Sequence, residues 1–183
     1  IYKDWDNQTP CKEYFDQLED KEIEILIPGA GNAHEAEYLH KAGFKNVTVI
    51  DIAPSPLKDF AKRNPSFPKE NLILGDFFNH KANYDLIIEQ TFFCAITPDL
   101  RQAYAEKVNK LLKPKGKLMG LLWSVELNSD HPPYGGSKTE YHEYFDAEGE
   151  VMICDIGHYE SEKYTIDLLH SILSEKFSTF AIL

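Results

Sequence analysis

The apolar run Ile25-Leu26-Ile27 leads into Pro28-Gly29-Ala30-Gly31, and Asp51-Ile52 closes a second apolar run roughly twenty residues beyond Gly31. A glycine-rich turn after such a run lets main chain approach a ligand closely, and a carboxylate at this spacing can accept both hydroxyls of a ribose. The pattern fits a nucleoside-containing cofactor, with a plain tight turn at Gly29 and Gly31 as the bland alternative. The third glycine of a dinucleotide fingerprint would fall at His34, and a pyrophosphate at this helix start would also meet Glu35. Phosphate is disfavoured. That favours S-adenosylmethionine, which ends in adenosine and a sulfonium-bearing amino acid, over a nicotinamide dinucleotide; an acidic cleft suits its positive sulfur.

Two further segments could carry chemistry. In Gly75-Asp76-Phe77-Phe78 the carboxylate could receive an adenine amino group while a ring covers the base; a turn aspartate beside core phenylalanines is the competing reading. Glu89-Gln90-Thr91-Phe92-Phe93-Cys94-Ala95-Ile96 is polar and then aromatic after an apolar run, as expected at the mouth of a reaction site. Cys94 has no neighbouring base and reads as a small buried thiol. Cys154 and His158 have helical zinc-ligand spacing, but no second pair accompanies them, so no metal is expected.

These residues need a scaffold that brings strand ends together. Short β-rich runs alternate with helix-like stretches, the pattern of a parallel sheet covered by helices. Strands are predicted at Ile23–Ile27, Val47–Ile50, Leu72–Leu74, Tyr84–Ile88 and Lys117–Trp123. A helix over about Asn32–Ala42 ends at Gly43, and Thr97-Pro98-Asp99 opens another, with a hydroxyl N-cap and Pro at the first position. Tyr104, Val108 and Leu111 continue its buried stripe until Lys113-Pro114-Lys115-Gly116 turns the chain. Beyond a Pro/Gly-rich loop over Asn128–Ser137, helices are expected near Lys138–Tyr144 and Thr165–Lys176, with strands near Val151–Asp155 and Phe177–Ile182. With no repeat or linker, residues 1–183 read as a single domain.

The 183 residues carry 19 Lys+Arg against 30 Asp+Glu, a net charge of −11, which argues against nucleic acid as a partner. Aromatics at 13% exclude a disordered chain. The longest stretch free of Lys, Arg, Asp and Glu, Ile25–His34, falls short of the ~20 apolar residues that span a bilayer, so no membrane association is expected. The chain opens without Met or a signal-peptide core, so a short native start is expected to be missing. Cys11, Cys94 and Cys154 form no C-x-x-C pair, which suits a cytoplasmic location.

In chain order, Pro28-Gly29-Ala30-Gly31, Asp51-Ile52, Gly75-Asp76-Phe77-Phe78, Tyr84 to Ile96, Leu111 to Gly116 and Pro132-Pro133-Tyr134 resemble the thiopurine S-methyltransferase family of class I methyltransferases. The resemblance covers about Trp5 to Tyr144. It implies a doubly wound α/β fold with a mostly parallel, seven-stranded, Rossmann-like sheet whose last strand is antiparallel. It also implies methyl transfer from S-adenosylmethionine, leaving S-adenosylhomocysteine, to a small soft nucleophile: a thiol, a thiopurine, or halide or thiocyanate. Trp5 and Thr9-Pro10 match a cofactor lid within residues 1–20. Gly29 and Gly31 match the methionine-side loop, Asp51 the ribose, and Asp76 and Phe77 the adenine; Pro28, Ala30, Ile52, Glu89, Gln90 and Thr91 are expected to bind the cofactor beside them. Phe92, Phe93, Pro133 and Tyr134 are expected around the acceptor, with Arg101 as the catalytic cation of its wall; a monomer suffices for this chemistry. Cys11 stands where relatives carry an aromatic, the segment before Trp5 is short, and no Arg follows Arg101. Those departures motivate the alternative of a non-catalytic cofactor-binding module.

Overall fold

The computed structural model describes residues 15–29, 31–145, 151–154 and 179–182. The chain divides into two compact units, one up to Phe77 and one from Phe78.

The first unit is built from β1 (Glu24–Pro28), α1 (His34–Lys41), β2 (Asn46–Asp51), α2 (Pro54–Arg63) and β3 (Leu72–Leu74). β2 lies between β1 and β3 and is parallel to both, pairing Ile25 with Val47, Ile27 with Val49 and Ile50 with Ile73. Consecutive residues Ile25 to Pro28 and Val47 to Ile50 are buried without alternation, as in parallel strands covered on both faces. α1 turns Ala36 and Leu39 inward. It ends in a Schellman motif: Phe44 N–H bonds the Leu39 carbonyl at 3.0 Å, Gly43 N–H bonds that of His40 at 3.1 Å, and Gly43 sits at φ +91°. The reading from sequence left the stretch between β2 and β3 unassigned. It forms α2, whose Pro54 suits a helix start and whose Leu57 and Phe60 face the core.

The second unit contains β4 (Tyr84–Gln90), a 3₁₀ turn (Pro98–Leu100), α3 (Arg101–Leu111), β5 (Leu112–Leu121), α4 (Lys138–Phe145), β6 (Val151–Cys154) and β7 (Thr179–Ile182). β5 is parallel to β4, and β7 is parallel to both β5 and β6. The expected antiparallel last strand is therefore not found. Residues 155–178 separate β6 from β7, more than the dozen or so that a parallel crossover needs.

Two local expectations are also corrected. Thr97 does not cap α3 with its hydroxyl; its carbonyl accepts Leu100 N–H at 2.9 Å, so the segment enters as a 3₁₀ turn before α3 begins at Arg101. The supposed turn at Lys113–Gly116 lies inside β5 as a bulge: Tyr84 pairs with Leu112 but Leu86 with Lys117. Lys115 takes φ 68°, and a Cβ on Gly116 would come within 2.9 Å of the Tyr84 and Lys113 carbonyls, so glycine is required there. The helix expected near Thr165–Lys176 lies outside the described residues. No helix among the described residues is long and apolar enough to cross a membrane.

Candidate active site

In the first unit the carboxyl ends of β1, β2 and β3 are laced together. Gly29 N–H donates to the Ile50 carbonyl at 2.8 Å, and Gly75 N–H to the Asp51 carbonyl at 2.9 Å. Gly29 and Gly31 take φ +69° and +46°, values that favour glycine, and a Cβ on Gly31 would meet open space within 4 Å. The expected glycines thus form a loop whose shape needs glycine and whose approach is uncrowded. Ala33, at φ 52°, leads into α1. Glu35 is buried in the first turn of α1, where burial raises its carboxyl above the ordinary range. A pyrophosphate at this helix start would meet that acid.

Asp51 is half-buried at the end of β2, and its Oδ1 accepts Ala53 N–H at 2.7 Å, which fixes the carboxylate beside the strand end. Ile52 follows with 77% of its surface exposed, and Leu74 ends β3 exposed as well. Apolar side chains beside an acid suit a ligand with a flat base and a sugar. Asp76 is half-buried, but Phe77 is buried in a 3₁₀ turn and offers little ring surface. This edge therefore provides an acid for hydroxyls, apolar surface for a base and a glycine-lined approach, a donor and acceptor set that fits S-adenosylmethionine. Pro28 is buried within β1; Trp5 and Ala30 lie outside the described residues.

The second unit holds the polar-then-aromatic segment. Glu89, near the end of β4, is 2% exposed. Its Oε1 accepts the N–H groups of Phe92 and Phe93 at 2.9 and 2.8 Å, and its Oε2 accepts the Tyr104 hydroxyl at 2.7 Å. Burial pushes its carboxyl up to about 7 against those three donors. Gln90 is half-buried, and Thr91 is exposed at φ 66°. Phe92 keeps part of its ring exposed, whereas Phe93 is 1% exposed and packs against Tyr104, Tyr141 and Phe145 at ring-centroid distances of 5.2, 5.7 and 5.8 Å. Cys94 is buried as expected, its thiol raised by burial and by the Glu89 charge.

Arg101 is also enclosed, at 1% exposure. Nη1 donates to Glu140 Oε1 at 2.6 Å and Nη2 to the Gly135 carbonyl at 2.7 Å, while the guanidinium lies 4.9 Å from the Phe93 ring centroid. Its Nε is buried without a partner among the described residues. The Pro/Gly-rich loop is tied to the same place by Tyr134 N–H, which donates to the Cys94 carbonyl at 2.7 Å; Tyr134 is buried and Pro133 exposed. α4 adds Tyr141, whose hydroxyl donates to the Trp123 carbonyl at 2.5 Å.

Reading the sequence missed Glu140 and Tyr104 as partners. Arg101 stands three residues before Tyr104, on the stripe that Tyr104 and Val108 continue, so its burial was visible in the spacing. Glu140 left no such signal, because the pair closes across 39 residues.

Solved structures, a methyltransferase among them, share this fold. The 1,6-didemethyltoxoflavin N1-methyltransferase of Burkholderia thailandensis aligns over 80% of this chain and 69% of its own, at TM-score 0.62 and 16% identity. TehB of Haemophilus influenzae aligns over 70% and 46%, at 0.56 and 20%. The fold is that of the methyltransferases. Within them, the chain belongs to the thiopurine S-methyltransferase family, whose profile matches residues 3–165. It is 31% identical over 121 residues to the probable thiol methyltransferase 2 of Arabidopsis thaliana and 33% identical over 121 residues to thiocyanate methyltransferase 1 of Brassica oleracea, in each case covering 63% of this chain. The chain spans about half the length of these relatives, 53% of each.

Proposed function

We propose that the chain is an S-adenosylmethionine-dependent methyltransferase acting on a small soft nucleophile such as a thiol, thiocyanate or a halide. The observation that carries this reading is the carboxyl edge of the first unit, where the loop of left-handed Gly29 and Gly31 follows β1 and the half-buried Asp51 ends the neighbouring parallel strand β2. Family membership and the thiol and thiocyanate methyltransferase names of the relatives support the acceptor class.

When bound, S-adenosylmethionine supplies a methyl group on a positively charged sulfur. Asp51 would accept the ribose hydroxyls, the Gly29–Gly31 loop would hold the methionine end, and Ile52 would offer apolar surface to the base. Phe92, Pro133 and Tyr134 exclude water from the acceptor, and Phe93 anchors its loop in the rings of Tyr104, Tyr141 and Phe145. Stripping water from a thiolate or soft anion raises its nucleophilicity and orients it for displacement, so no general base is required. Arg101 orders this wall through Glu140, Gly135 and Phe93, and its remaining buried N–H suits an anionic acceptor. Calorimetry with S-adenosylhomocysteine and NAD tests the cofactor step: saturable binding of the first and none of the second is expected, and the reverse pattern would overturn it.

A further inference from the structure

Glu89 is a costly residue to keep. A carboxylate at 2% exposure loses nearly all its hydration, and no cation among the described residues acts on its charge. What compensates it is three donors, two of them consecutive main-chain N–H groups of the loop that follows β4. The carboxylate does for this loop what an N-cap does for a helix: it satisfies the first amides of a turn, which then closes by Ala95 N–H bonding the Phe92 carbonyl at 2.9 Å. Thr91, at φ 66°, turns the chain so that both amides point back at the acid. β5 makes room for it, since Gly120 pairs with Glu89 and a Cβ there would come within 2.6 Å of the Glu89 Cβ.

We propose that Glu89 is a positioning residue for methyl transfer and not a cofactor ligand: by gripping the amides of Phe92 and Phe93 it sets the shape of the acceptor wall. This rests on the reading of that wall given above. Protonation weakens the grip without abolishing it. The ionised acid accepts from all three donors, whereas a protonated one keeps only a neutral carbonyl oxygen for the two amides and turns the other oxygen into a donor, so that the Tyr104 hydroxyl must rotate to accept. Among the described residues the ionisable groups facing it are the Tyr104 hydroxyl from α3 and the Cys94 thiol from its own loop; burial raises both, so near neutrality the transition belongs to Glu89. β5 pairs Gly120, which has no side chain to titrate, with Glu89.

Amide NMR of the wild-type chain and Glu89→Gln, titrated from roughly pH 5.5 to 8.5, tests the grip without turnover. The Phe92 and Phe93 amides should move together through one transition near neutrality in the wild type and stay still in Glu89→Gln. Tyr104→Phe, which removes a donor to the ionised acid, should shift that transition to higher pH. Static amides in the wild type would overturn the proposal. Thiocyanate methylation and S-adenosylhomocysteine calorimetry supply the second arm. Glu89→Gln, whose carbonyl can still accept both amides, should retain turnover within about tenfold, and Glu89→Ala should lose more than about tenfold in kcat/KM, with cofactor affinity within about threefold in both. A cofactor affinity weakened about tenfold or more in Glu89→Gln would make Glu89 a ligand and contradict the proposal. If the wild type methylates nothing, the functional reading fails, while the amide titration still decides what Glu89 holds; if Glu89→Ala does not fold, Glu89→Gln and Tyr104→Phe carry the test.

Discussion

Asp51, Arg101 and Glu89 are three charged side chains with three different jobs, and substitution separates them. Asp51→Asn keeps the shape but loses the charge that would strengthen two hydrogen bonds to the ribose in the proposed site, so S-adenosylhomocysteine should bind about 1.5 to 3 kcal/mol more weakly by calorimetry. Arg101→Lys replaces a planar fork with a point charge that can serve Glu140 or the Gly135 carbonyl, not both. Methylation of thiols should fall while cofactor affinity stays put. Arg101→Ala leaves Glu140 without its cation and should cost on the order of 3 kcal/mol in denaturant unfolding. Glu89 acts in the opposite sense on stability, because burial raises it from 4.5 to about 7. Between those values the folded chain holds a proton that the unfolded chain has released, so its contribution is fully present below the lower value and is lost as pH rises through the upper one. Unfolding free energy should therefore drop by roughly 3 kcal/mol more in the wild type than in Glu89→Gln across that window.

At the level of elements, the loops that shape the site are held by close main-chain contacts. A Cβ on Gly135 would sit 2.0 Å from the Val125 carbonyl oxygen, and the Gly135 carbonyl is itself an Arg101 partner. Gly135→Ala should thus destabilise by about 2 kcal/mol or more in denaturant melts and lower methylation as well, whereas Gly31→Ala, with open space but φ +46°, carries only backbone strain. The strands were legible because parallel strands buried on both faces read as short apolar runs, as Ile25–Ile27 does and Val47–Ile50 does but for Thr48, while Leu72–Leu74 is an apolar run on a strand that stays partly exposed. Gly43 likewise marked the end of α1. α2 was not legible, since Pro54 and Pro56 punctuate its first turn and only Leu57 and Phe60 face the core. The β5 bulge hid behind Pro114 and Gly116, residues that ordinarily mark a turn. In the site, the Gly29–Gly31 loop and Asp51 could be read locally; the Glu140 partnership could not, because it depends on α4 folding back onto α3.

The whole molecule carries a net charge of −11. That field repels small anions, and it is screened as the Debye length falls from about 30 Å at 0.01 M ionic strength to about 8 Å at 0.15 M. For thiocyanate as acceptor, KM should fall over that range in a non-halide salt, while KM for an uncharged acceptor stays level. The same charge is consistent with small acceptors in preference to nucleic acid. The most direct measurement is transfer of labelled methyl from S-adenosylmethionine to a panel of thiols, thiocyanate, iodide, amines and catechols, with S-adenosylhomocysteine as added inhibitor. Methylation of one or more of the soft acceptors, suppressed by S-adenosylhomocysteine and absent with amines and catechols, is the expected result. Methylation of amines or catechols alone, or no transfer to any acceptor despite bound cofactor, would contradict it.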